Sequence, residues 1–235
     1  MTKAVIVEAT ATGAGTFYHG LYGGAVSQRR AHGKNRGAVG EQLLDPFGNE
    51  DAVHTFRSWI DFGGKLEVDL GFGRGGFLVE QASRTRESRW VGFEVRTRLC
   101  MEVMDRLNRQ GISNVRIIQA DARPIVDQFF PVGSISHFYV GFPDPWWKKK
   151  HHKRRIFSPE FVHTLHSKLT ATGSVILRTD VTDYAQNVRE VFNAHGGFDT
   201  QVVTPDELVP TDRERRCADF GLPVSRLRFT KKGCL

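Results

Sequence analysis

The sequence predicts an α/β fold, an open and mostly parallel sheet with helices on both faces. Three observations predict it. From residue 66 onward, short apolar runs alternate with amphipathic stretches at the spacing of strand–helix units. A glycine-rich turn, Gly71 to Gly76, follows the first of these strands, as expected where backbone must come close to a ligand. An acid also recurs in or just past successive strands, on the edge where open α/β sheets bind ligands.

The elements follow in order. The first strand is 66–70, and the glycine loop 71–76 leads into a helix beginning over 77–83. Strand 89–94, helix 96–110 and strand 115–119 come next. Strand 135–141 is followed by helix 159–169, and strand 174–179 by helix 181–195. The last two strands, 198–203 and 224–229, are expected to form an antiparallel edge, bringing the total to seven.

Residues 1–50 hold nine of the 24 glycines and little periodicity. They are expected to form a glycine-rich, partly flexible arm, with a basic knot at Arg29, Arg30, Lys34 and Arg36. Such an arm is either a tail without a role or an RNA contact that orders on binding. Residues 51–235 are expected to form a single domain.

The chain has 235 residues, and 33 Lys and Arg against 26 Asp and Glu leave a formal charge of +7. Six of those cations lie within 148–155, so the excess is concentrated rather than spread. No apolar run approaches the roughly 20 residues of a membrane span, and no secretory pattern opens the chain. A cytoplasmic location is expected. Cys100, Cys217 and Cys234 are far apart, without CxxC or zinc spacing, so neither disulfides nor a metal site are expected.

Asp69, Glu94, Asp121, Asp144 and Asp180 would share one rim of the sheet. Five acids together would repel one another unless ligand cations, hydrogen bonds or solvent offset the charge. Gly71 and Gly73 lie in a GxGxG pattern rather than the GxGxxG of pyrophosphate sites. Asp69, two residues before the first glycine, suits an amino group or water at a ligand's amino-acid end, which S-adenosylmethionine has and NAD lacks. Glu94 can accept from ribose hydroxyls, for either cofactor. Asp121 with the small Ala122 either accepts from an adenine amine or is an ordinary turn aspartate.

Phe142-Pro143-Asp144-Pro145-Trp146-Trp147 runs into Lys148-Lys149-Lys150-His151-His152-Lys153-Arg154-Arg155. The prolines stiffen the turn that carries Asp144. Cations beside aromatic rings suit a polyanion with exposed bases, such as looped RNA. Either Trp146 or Trp147 can stack a base or pack the core. His151 and His152 have no partner at zinc spacing. Thr211 and Glu214 also have the spacing of a helix capping box.

From about Leu66 to Phe229 the chain resembles the bacterial tRNA (guanine-N7)-methyltransferases. The segments that carry the resemblance are DLGFGRGGFLVEQA, VGFEV, QADA, FPDPWWKKKHHKRRIFSPEF, the strand ending Arg178-Thr179-Asp180, and TDRERRCADFGLPV. The resemblance implies a Rossmann-like, seven-stranded class I methyltransferase sheet and S-adenosylmethionine as cofactor. It also implies a tRNA substrate and methylation of the variable-loop guanine, conventionally position 46. It matches Asp69, Glu94 and Asp121 to cofactor contacts, with Gly71, Gly73 and Ala122 beside them, and Asp144 to a catalytic, cofactor-proximal acid. It matches Lys148, Asp180, Thr211 and Glu214 to substrate contacts. Lys148 to Lys150 and Lys153 to Arg155, a basic run adjacent to Asp144 and Trp146, are expected to hold the tRNA backbone. The position of Asp69 is commonly Glu in the family, and the shorter side chain leaves room for a bridging water.

Neither a membrane partner nor an obligate protein partner is expected, and the chain would act as a monomer or homodimer. Another RNA guanine-N7 methyltransferase, a dinucleotide oxidoreductase and a catalytically inactive RNA-binding relative are the competing readings.

Overall fold

A computed structural model describes residues 5–9, 41–44 and 50–233. The basic knot at Arg29, Arg30, Lys34 and Arg36 lies outside the described residues, as does Cys234. The strands are β1 (Val5–Ala9), β2 (Glu41–Leu44), β3 (Leu66–Leu70), β4 (Arg89–Phe93), β5 (Val115–Gln119), β6 (Ile135–Gly141), β7 (Leu169–Thr179), β8 (Phe198–Val202) and β9 (Ser225–Lys231). The helices are α1 (Glu50–Ile60), α2 (Gly76–Arg84), α3 (Thr97–Arg109), α4 (Ala122–Phe129), α5 (Pro159–Lys168), α6 (Thr182–His195) and α7 (Asp212–Asp219).

All nine strands join one sheet in the order β2-β1-β5-β4-β3-β6-β7-β9-β8. The five strands from β5 to β7 are parallel. At one end β9 runs antiparallel to both β7 and β8, as expected of the last two strands. At the other end the sheet goes further than the seven expected strands. β1 pairs antiparallel with β5, and β2 with β1, both arising within the segment read as an arm.

Alternation along the strands sorts side chains into two cores. Leu66, Val68 and Leu70 of β3, Val91 and Phe93 of β4, and Val175 and Leu177 of β7 face α1, α4, α5 and α6. Trp90, Ile117, Tyr139 and Ile176 face the opposite way, against α2 and α3. The result is a three-layered α/β domain, and Asp69 is carried on the α2 side of β3.

Two differences from the expected elements have local causes. β7 starts at Leu169 rather than 174, because residues 170–173 bulge out between the pairs Ile135–Leu169 and His137–Ser174. α4 was not expected because Pro124 interrupts its pattern, yet proline is tolerated in a first helical turn, and Asp121 caps this one by accepting from the Arg123 N–H at 3.1 Å. Among the described residues, no helix is long and apolar enough to cross a membrane.

Candidate active site

The carboxyl ends of β3, β6 and β7 open into one cavity of about 1060 Å³. Of the residues singled out in the sequence, Asp69, Gly71, Gly73, Asp144, Asp180 and Thr211 line it. Glu94, Asp121, Ala122, Lys148, Lys153, Arg154 and Glu214 are not among the residues that line it.

The glycine loop forms one side. Gly73 has φ +59° and turns its N–H onto Glu94 Oε2 at 3.1 Å. A Cβ on Gly73 would meet only the tip of Arg96 at 4.0 Å, so the space above the loop is open to a ligand. Glu94 is buried beneath it. Its Oε1 accepts from the Val95 and Arg96 N–H groups, each at 3.0 Å, and the Arg96 guanidinium reaches both oxygens. Arg96 is exposed, so a ligand hydroxyl can reach Glu94 only as that side chain gives way.

Asp69 lies beside Tyr139 in the sheet register and is only 4% exposed. Burial pushes its carboxyl up to about 7, while Arg178 pulls it down and Glu94 raises it further. Arg178 was not foreseen. Buried at 3% exposure, it lies over the Phe77 ring at 4.5 Å and donates from Nη1 to Val209 O at 2.8 Å and to Glu214 Oε2 at 2.7 Å. Its Nη2 has no partner among the described residues.

Glu214 is similarly buried. Besides Arg178 it accepts from Arg226 Nε at 2.8 Å and from the Thr211 N–H at 2.8 Å, while its own N–H donates to Thr211 Oγ1 at 3.1 Å. Both halves of the capping box are therefore made, and they fix the start of α7. Although burial raises the Glu214 carboxyl, Arg178, the Thr211 N–H and Arg226 hold it below its ordinary value. α7 also leans on the glycine loop, since a Cβ at Gly76 would lie 2.6 Å from Asp212 Oδ1. Arg213 of α7 grips Asp180 Oδ2, with Nε at 3.0 Å and Nη2 closer still.

The Asp144 turn is more constrained than its prolines alone require. Phe142 and Trp146 bracket it with φ of +53° and +44°. Bulky side chains rarely adopt that region, and each such residue costs about 1–3 kcal/mol, so the surroundings must hold it there. Asp144 is exposed to the cavity and makes no hydrogen bond or ion pair among the described residues. The two tryptophans separate. Trp147 is 65% exposed on the cavity wall, whereas Trp146 packs against His151 and under Arg154, whose guanidinium carbon is 5.0 Å from its ring. Lys148, Lys150, Lys153 and Arg154 are exposed beside the turn. Asp121 is held by Arg123, whose Nη1 also donates to Lys153 O at 3.2 Å.

The residues present fit a cofactor with a nucleoside and an amino-acid end. The open glycine loop would take the first, while Asp69 and the orphaned Arg178 donor mark a place for ionic groups.

Residues 64–227 match a family model described as "Putative methyltransferase". A tRNA (guanine-N(7)-)-methyltransferase of Myxococcus xanthus is 38% identical over 175 residues, which is 72% of this chain and 85% of that protein. One of Thermosynechococcus vestitus is 34% identical, covering 71% of this chain and 80% of that protein. Among solved structures, the 16S rRNA methyltransferase KamB superposes with a TM-score of 0.56 at 15% identity, over 78% of this chain and 94% of that one. An antibiotic-related methyltransferase gives 0.55 at 14% identity, over 77% and 94%. At those identities the likeness is one of fold, and it agrees with the sheet described above. With relatives this similar over more than two thirds of each chain, the protein belongs to the tRNA (guanine-N7)-methyltransferase family.

Proposed function

We propose that this protein methylates N7 of a guanine in tRNA, in the variable loop at position 46, using S-adenosylmethionine. It would act in the cytoplasm as a monomer or homodimer. The observation that carries the reading is the shared cavity wall, on which Asp144 stands with Asp69 and Asp180 while an exposed basic segment leaves from its own turn. When bound, the cofactor supplies a methyl group activated by a sulfonium.

Guanine N7 offers its lone pair in the ring plane at neutral pH, so no residue need remove a proton before transfer. The protein's task is alignment and charge. Alignment of reacting groups supplies about 7–11 kcal/mol in well-oriented cases. Asp144 would stabilise the positive charge arriving on the base. Asp180, with Arg213 gripping Oδ2, would accept from guanine N1–H and N2–H. Adenine lacks that pair of donors and would leave the acid unsatisfied, which makes the rejection strong. Glu94 would receive the ribose hydroxyls, Asp121 and Ala122 would flank the adenine, and Asp69 would meet the ammonium. Lys148, Lys153 and Arg154 would follow the tRNA backbone, with Thr211 and Glu214 shaping the substrate side.

The decisive experiment is transfer of labelled methyl from S-adenosylmethionine to unmodified tRNA, with the product nucleoside identified and mapped. We expect 7-methylguanosine at position 46. A methyl group on any other atom, or no incorporation into tRNA, would remove this reading.

The state of Asp69 adds a pH signature. With its carboxyl pushed up to about 7 in the empty site, an ammonium beside it favours the ionised form, so binding releases a proton below neutrality. Cofactor affinity should rise with pH through that value, being about tenfold weaker at pH 6 than at pH 8. Calorimetric titration at the two pH values checks this, and Asp69→Asn should flatten the difference.

A further inference from the structure

Pro143 and Pro145 leave Asp144 as the only residue of its triplet with a backbone N–H. The turn must therefore be fixed largely through its ends and its carbonyls. On one side the Phe142 N–H donates to Arg178 O at 2.7 Å. On the other, Arg155 Nε donates to Pro145 O at 2.8 Å. The same guanidinium donates from Nη1 to Asn187 Oδ1 at 2.9 Å and lies 5.6 Å from the Tyr184 ring, both on α6.

Arg155 closes the basic segment in sequence, yet it differs from its neighbours in place. Lys148, Lys150, Lys153 and Arg154 are exposed, whereas Arg155 is half-buried between the turn and α6. With Phe142 and Trp146 both held at positive φ, the turn needs an external tie, and Arg155 is the side chain that reaches the carbonyl next to Asp144.

We propose that Arg155 is a positioning residue. It fixes the Asp144 carboxylate by tying Pro145 to α6, and the RNA-facing charge of the segment is carried by its exposed neighbours. This rests on the reading of Asp144 as the catalytic acid.

The test uses the full chain, with tRNA binding measured across salt concentrations and single-turnover methyl transfer at saturating tRNA. Arg155→Lys keeps the charge but cannot span both acceptors. It should bind tRNA with unchanged affinity and salt slope while its saturated rate falls about tenfold or more. Asn187→Ala, which releases one arm of the tie, should lower the rate in the same direction by a smaller factor. Lys150→Ala supplies the contrasting pattern, weaker tRNA binding with a shallower salt slope.

The inference is overturned if Arg155→Lys keeps the wild-type saturated rate, or if it reproduces the Lys150→Ala pattern with the rate intact. A dead Asp144→Ala beside an unimpaired Arg155→Lys removes only this inference. An active Asp144→Ala removes the catalytic reading and this inference with it.

Discussion

Asp144→Ala should lose turnover almost completely while the folded protein still binds S-adenosylhomocysteine, if more weakly. The carboxylate is exposed to the cavity and unbonded among the described residues, so its removal leaves no buried partner stranded and stability should hold. The rate, by contrast, loses the charge placed to meet the cationic product. Removing one such preorganised group costs about 10²–10³-fold in turnover, and more where it also orients the substrate. Single-turnover transfer with saturating tRNA reads the loss, and calorimetry reads the cofactor. Asp144→Asn separates shape from charge. If charge is what matters, Asn should fall nearly as far as Ala. A variant that keeps most of its rate would defeat the catalytic assignment.

Glu214→Ala should have the largest effect on stability. It strips a buried carboxylate from Arg178, Arg226 and the first turn of α7 in one step. Breaking a buried pair by removing one partner costs about 3–5 kcal/mol, since the remaining charge stays desolvated. For a chain of this size that corresponds to a fall in melting temperature of about 10 °C. Activity should fall too, because α7 brings Thr211 and Arg213 to the cavity. The pH dependence carries a sign. Glu214 is held below its ordinary value in the folded state, so its contribution is present above the unfolded pKa and is lost as pH falls through the folded one. The wild type should lose this stability on acidification, and the variant should show a flatter acid limb. Thermal unfolding between pH 3 and 7 measures both, with Glu214→Gln expected in between.

The strands were legible because their alternation is strong. In 66–70, Leu66, Val68 and Leu70 fill one core while Glu67 and Asp69 point to the other face, and the observed bounds equal the expected ones. The carboxyl-edge position of Asp69, Asp144 and Asp180 followed from the same topology. What stayed hidden depends on contacts distant in sequence. Arg178 could be read only as part of a strand that carries the resemblance, and its partner Glu214 lies 36 residues on. The capping box at Thr211 could be read from spacing, but not that the same Glu214 carboxylate also neutralises two arginines. Arg155 read as one more cation of a run, because a run of charge does not reveal which member turns inward. The left-handed backbone at Phe142 and Trp146 has no sequence signal, since bulky aromatics are the residues least expected there.

The pairing of β1 with β5 bears on where this chain can be cut. Glycine content alone marks residue 50 as a natural boundary, and a shortened protein starting there would retain the cavity and all seven strands of the central and β8 side of the sheet. It would also strip β5 of the neighbour that pairs with Val115's strand from Arg116 to Gln119. An open row of backbone donors and acceptors along an Ile-Ile strand is a template for joining to another copy. β1 and β2 thus supply a selvedge for the sheet, and trimming them leaves β5 as a bare, sticky border.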